Sequence, residues 1–116
     1  MNQPEPLAEI ARIIEGVINE DGQIPTAVDN LFIGRKTQTT QPVHTAQWPC
    51  FAMIVQGSKQ AIVGTQKMSY GAGDYLVVSL DMPVRSWVVQ ASPEKPMYGL
   101  SLAINHDALK TVMTRI

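Results

Sequence analysis

Between Ile24 and Ile104 the chain is cut into short apolar or β-rich segments, "NLFIGRK", "FAMIVQG", "QAIVG", "YLVVSL", "VRSWVVQA" and "YGLSLAI", separated by turn residues. Segments this short, recurring at roughly ten-residue spacing, predict strands of an all-β sandwich or barrel, not the βα alternation of a parallel sheet. Several carry apolar residues at successive positions, as in Phe51 to Val55, so both faces of a sheet are covered, one by the interior and the other by a helix or a partner. The stretch "FAMIVQGSKQAIVG" (51–64) reads as a hairpin, two apolar runs flanking a polar turn that contains Gly57.

Helical periodicity is confined to the ends. Leu7, Ile10, Ala11, Ile13, Ile14, Val17 and Ile18 recur at helical spacing, with Pro6 in the first turn and Glu5 and Glu9 near the positive end of the dipole. Asn19, Asp21 and Gly22 predict a stop near Glu20. The polar face of this helix is not basic, which favours packing on a sheet over lying on a membrane. "TQTTQPVHTAQWP" (37–49) has two prolines and no period, and reads as a long connection at one end of the β region. At the other end Asn105 is an N-cap, followed by Leu109, Val112, Met113 and Ile116 on one stripe. The chain stops at Ile116 in mid-stripe, as expected of a piece of a longer protein or of a helix that pairs with another chain.

Composition bounds the function. A chain of 116 residues, 45% hydrophobic, matches one domain with a core of its own. Nine basic and ten acidic residues give a net charge of −1, with no cluster of lysine and arginine to neutralise phosphates, so this segment is not expected to bind nucleic acid directly. Charged residues are 16% of the chain against about 25% in an average soluble domain, which predicts a covered face. The single cysteine, Cys50, fits a reducing compartment, and the apolar runs are far shorter than the ~20 residues a membrane helix needs, so the expected location is the cytoplasm.

A small β domain with the turn "GAGDYLVVS" is similar to the cupins, and that comparison can be made residue by residue. If Gly57 stands at the glycine of the first metal-binding cupin motif, Cys50 takes its glutamate position, and His44 and Ala46 take those of its two histidines. In the second motif Gly71 replaces the proline, Gly73 keeps the glycine and Leu76 replaces the histidine. Zinc or iron needs about three or four convergent N, O or S ligands, and His106 is the one histidine left, so no metal and no cofactor is expected. Cys50 with His44 lacks a third orienting group, Ser58, Ser69 and Ser79 lie in no nucleophile-elbow context, and "GAGDYL" is no phosphate loop. No catalytic role is expected. Binding is the better use of the interior: Trp48, Tyr75, Trp87 and Tyr98 each pair an apolar body with a polar atom suited to orienting a ligand.

The order of several motifs resembles the N-terminal domain of AraC-type transcription regulators across nearly the whole chain. These are Gln56, Gly57 and Lys59, then Tyr70, Gly73, Tyr75 and Leu76, then Ser79, Asp81 and Pro83, then Ala91, Ser92, Pro93 and Pro96. Ala72 stands where that subgroup often has proline. The resemblance implies a cupin-like β-barrel or jelly roll that senses a small molecule, forms a homodimer, and is followed by helix-turn-helix units that bind DNA, units this chain does not contain. The chain is accordingly read as one sensory and dimerisation domain over 1–116, with an N-terminal helical arm (1–22), a barrel (24–104) and the start of a C-terminal helix (105–116). Ligand contacts are expected at His44, Trp48, Cys50, Ile54, Leu76, Trp87 and Tyr98, Cys50 and Leu76 from the motif comparison and the others from side-chain character. The dimer stripe is Leu109, Val112, Met113 and Ile116. The alternatives are a purely structural dimerisation domain and a stand-alone metal-free cupin enzyme.

Overall fold

The computed structural model describes residues 5–41, 43–47, 50–78, 82–104 and 114. Helix α1 (Glu5–Val17) is followed by β1 (Gly22–Pro25), β2 (Leu31–Lys36), β3 (Val43–Gln47), β4 (Cys50–Gln56), β5 (Ser58–Val63), β6 (Gln66–Gly71), β7 (Tyr75–Val78), β8 (Met82–Gln90) and β9 (Met97–Ala103). The strands form two antiparallel sheets, a five-stranded one in the order β1-β2-β9-β4-β7 and a four-stranded one in the order β3-β8-β5-β6. α1 ends before Glu20, at the turn that Asn19 to Gly22 build.

The expected barrel or jelly roll is corrected by this topology. Neither sheet closes on itself, and among the described residues β1 and β7 remain edges of one sheet, β3 and β6 of the other. On one side a cleft of about 350 Å³, lined by Met68 to Tyr70 of β6 and by Gly73 to Leu76 leading into β7, lies where a closing ladder would run. The physical reason is length: β1 and β7 have four residues each, too few to carry a second ladder around a curved wall.

The hairpin expected over 51–64 is corrected as well. β4 and β5 belong to different sheets, and Gly57 is the corner between them. Its φ is +84°, and a Cβ built there would lie 2.6 Å from the Gln90 carbonyl oxygen and 3.0 Å from Met97, so the site admits only glycine. The real hairpin joins β5 to β6 through Gly64, whose φ is +61°. β3 falls inside the segment read as a loop, and β6 was not legible because it carries just two apolar side chains, Met68 and Tyr70, among polar ones.

Register sorts the side chains into layers. Along β4, Met53 and Val55 point toward α1, whereas Ile54 points toward the four-stranded sheet. Ala11, Ile14 and Ile18 thus bury one face of the five-stranded sheet with Ile33, Val55 and Tyr98. Ile54, Met97 and Val88 fill the space between the sheets, with Tyr70 and Ala91 against them. Ile13 and Val17, counted in the helical stripe, face outward. Asp21 ties the end of α1 to β2: its carboxylate accepts from the Arg35 guanidinium at 3.1 Å, from the Thr37 amide at 3.1 Å and from the Thr37 hydroxyl at 2.9 Å.

The bond from the Thr37 amide, helped by its hydroxyl and by Arg35 and Lys36, outweighs partial desolvation and holds the Asp21 carboxyl below its ordinary value of 3.8. A carboxylate with a depressed folded pKa adds stability above the unfolded value and loses it as pH falls through the folded one. The stability advantage of the native chain over Asp21→Asn is therefore present at neutral pH and disappears in strongly acidic solution, as urea titrations at several pH values will show. Gly57→Ala is expected to cost about 2–4 kcal/mol in the same titration, since it adds both positive-φ strain and a backbone collision.

Candidate functional site

The space between the sheets is set by alternation. Cys50, Ala52 and Ile54 of β4 share a face with Leu76 of β7 and with Gly99, Ser101 and Ala103 of β9. Opposite them stand Lys59 and Ala61 of β5, Tyr70 and Met68 of β6, and Val84, Ser86 and Val88 of β8. Polar groups are few; Gln23 donates to the Ser101 hydroxyl at 3.2 Å across β1, β2 and β9.

Of the residues expected to touch a ligand, Cys50, Ile54 and Leu76 lie on this inner face. Cys50 and Ile54 are buried and Leu76 is half-buried. Burial raises the Cys50 thiol above its ordinary pKa, and it raises the Tyr70 hydroxyl too, with a smaller push from Cys50. Both groups are therefore held in their neutral, proton-donating forms.

Trp87 and Tyr98 are elsewhere. Trp87 lies on the outer face of the four-stranded sheet, where its indole nitrogen donates to Gln60 Oε1 at 3.1 Å and Lys67 Nζ sits 5.9 Å from the ring centroid. Tyr98, 3% exposed, is in the layer between α1 and the five-stranded sheet. A one-residue step along a strand reverses the face, so side-chain character alone could not assign either one. His44 lies in β3 in register with Arg85, and its side chain, like Trp48, is outside the described residues. Leu109, Val112, Met113 and Ile116 are outside them as well.

Sequence reasoning missed Lys59 and Tyr70 as inner-face residues; the available signal was their place in the motifs quoted above. It also missed a cleft of about 520 Å³ between α1, the end of β2 and the Pro93–Pro96 turn. Arg12, Arg35 and Lys95 line it beside Glu15 and Glu94. That turn is built locally, the Lys95 amide donating to Ser92 Oγ at 3.0 Å, and is tied to β4 by Gln56, whose amide donates to the Pro96 carbonyl at 2.7 Å. Among the described residues, no group of three or more His, Cys, Asp or Glu is placed to hold a metal ion. No helix among them is long and apolar enough to cross a membrane.

Residues 27–115 match the family model described as AraC-type transcriptional regulator N-terminus. The chain belongs to that family. That family comprises the N-terminal domains of transcriptional regulators. Its fold is similar to a cupin-2 domain protein from Shewanella frigidimarina, with a TM-score of 0.55 and 9% identity over 81% of this chain and 92% of that one. A cupin protein from Bacteroides fragilis aligns with a TM-score of 0.51 and 14% identity over 77% of this chain and 80% of that one. No curated protein matches the chain. The two sheets of this chain stay open.

A buried thiol held protonated is a poor nucleophile. Iodoacetamide at near-neutral pH is expected to label Cys50 at least about tenfold more slowly in the folded protein than in urea, followed by mass spectrometry. Equal rates would place the thiol at the surface.

Proposed function

We propose that this chain is the ligand-sensing and dimerisation domain of a bacterial AraC-type transcription regulator, acting in the cytoplasm and reaching DNA through a separate helix-turn-helix domain. The family match over 27–115 is the observation that carries the reading. In it, a small molecule enters between the sheets and touches Cys50, Ile54 and Leu76. Binding favours one arrangement of α1 and the C-terminal segment, and this difference in affinity biases how two DNA-binding domains are spaced.

Dimerisation is supported by two apolar surfaces. One is the stripe Leu109, Val112, Met113 and Ile116, known from sequence. The other is a row across the five-stranded sheet beyond the reach of α1, where register aligns Val77, Phe51, Leu102 and Leu31. Val77 is 54% and Leu102 41% exposed, and Tyr75, 65% exposed, stacks on Phe51 at 5.4 Å between ring centroids. Exposed apolar side chains gathered on a flat sheet face suit a second copy of the chain.

Light scattering tests the first surface: Val112→Glu combined with Met113→Glu is expected to yield monomers, and an unchanged dimer refutes the stripe as interface. Thermal unfolding with a metabolite panel tests sensing, because a true effector adds about 2.7 kcal/mol at a hundredfold excess over its dissociation constant. A panel without any stabilising compound would leave a purely structural dimerisation domain.

A further inference from the structure

The cleft between α1, the end of β2 and the Pro93–Pro96 turn has an exposed rim and a buried floor. Arg12, Glu15, Glu94 and Lys95 form the rim, with both signs of charge. Ala11, Ile18, Pro96 and Tyr98 are the buried part of its lining. A polar atom in such a floor normally finds a partner within the protein. The Tyr98 hydroxyl does not: the residue is 3% exposed, and no described residue makes a hydrogen bond with that group. Nor is it sealed in, because among the described residues no enclosed side-chain oxygen lacks a partner. The hydroxyl therefore has an opening, and the opening that Tyr98 lines is this cleft.

Arg35 stands beside it, since register pairs Arg35 of β2 with Tyr98 of β9 on the same face. Its side chain is 20% exposed and lines the cleft too. One nitrogen fixes the guanidinium in place: Nη1 donates to the Asn19 carbonyl at 3.2 Å and to Asp21 Oδ1 at 3.1 Å. Nε and Nη2 have no partner among the described residues. Those two form the edge that takes a carboxylate side-on through parallel hydrogen bonds. A clamped fork with one free edge, next to an unpartnered hydroxyl, is a preorganised set of three donors.

We propose that this cleft binds the carboxylate of a small organic acid, held by Arg35 and the Tyr98 hydroxyl, with the acid's apolar body against Ala8, Ala11 and Pro96. The site is separate from the space between the sheets, so it goes beyond the sensing reading and does not depend on it. Asp21 offsets the charge of Arg35, and Glu15 and Glu94 offset Arg12 and Lys95 on the rim. Recognition thus comes from paired hydrogen bonds and apolar contact rather than from a net positive field, which favours a planar carboxylate with an apolar body over inorganic phosphate. The walls are α1 and the Pro93–Pro96 turn, which Gln56 ties to β4. An occupant therefore fastens α1 to the sheet and favours its seated position.

The experiment is calorimetric titration and thermal unfolding of this chain with benzoate and octanoate, against neutral benzamide and inorganic phosphate at matched ionic strength. The acids are expected to bind saturably and raise the Tm. Tyr98→Phe removes a hydroxyl with no partner in the protein, so it is expected to keep the ligand-free Tm while weakening the acids about tenfold or more. Arg35→Lys keeps a cation beside Asp21 but loses the fork, and is expected to weaken them by at least as much. Lys67→Met, beside Trp87 on the other sheet, is expected to leave them unchanged. Full affinity in both Tyr98→Phe and Arg35→Lys overturns the site. Affinity lost in Cys50→Ser but kept in Tyr98→Phe moves the acid between the sheets, which overturns the cleft and favours the sensing reading. Benzamide matching benzoate overturns the carboxylate, and phosphate matching benzoate overturns the organic acid. Saturation by neither acid overturns the proposal as well, while a neutral metabolite that stabilises the chain keeps the sensing reading intact.

Discussion

The architecture depends on how the chain crosses between its two sheets. At Gly57 the backbone turns from β4 into β5 with a positive φ while packed against the Gln90 carbonyl and Met97, which belong to the β8-to-β9 crossing. One crossing is therefore wedged into another. A third, Gly71 to Asp74, is tied to β4 by paired bonds, the Gly73 amide to the Ile54 carbonyl at 2.9 Å and the Ile54 amide to the Asp74 carbonyl at 3.1 Å. Asp74 also accepts from the Gly71 amide at 2.9 Å. With the corners clamped on one another, the distance between the sheets is fixed before any core side chain is considered.

The five-stranded sheet is then covered on both faces, by α1 on one side and by the second sheet on the other. That arrangement explains why Met53, Ile54 and Val55 follow one another without a polar break: each neighbour serves a different layer. α1 is too short to cover the whole outer face, and the part it leaves is still apolar. The low charge of the chain thus has a location, the row that runs from Val77 to Leu31.

Much of this was legible because corners demand particular residues. Gly57, Gly73, Ser92, Pro93 and Pro96, which carry the family resemblance, sit at crossings where positive φ, a missing amide or a local hydroxyl bond is required. The central strands β2, β4 and β9 announced themselves through runs of apolar residues that two-sided burial explains, and β8 through its β-rich run alone. The edge strands β1, β3 and β6 did not, since half of an edge strand faces water and its composition approaches that of a loop.

The candidate site divides the same way. Sequence by itself determined the family, the all-β character, the amphipathic first helix and the positions at which the backbone must turn, because each rests on local conformational preference or on periodicity. Tertiary structure decided which sheet each strand joins, that the sheets stay open, and which way every side chain faces. Trp87 and Tyr98 were sent outward and under α1, while Lys59 and Tyr70 were brought inside. Those outcomes depend on register between strands far apart in the chain, and a shift of one residue, which leaves the sequence pattern unchanged, would exchange inside for outside.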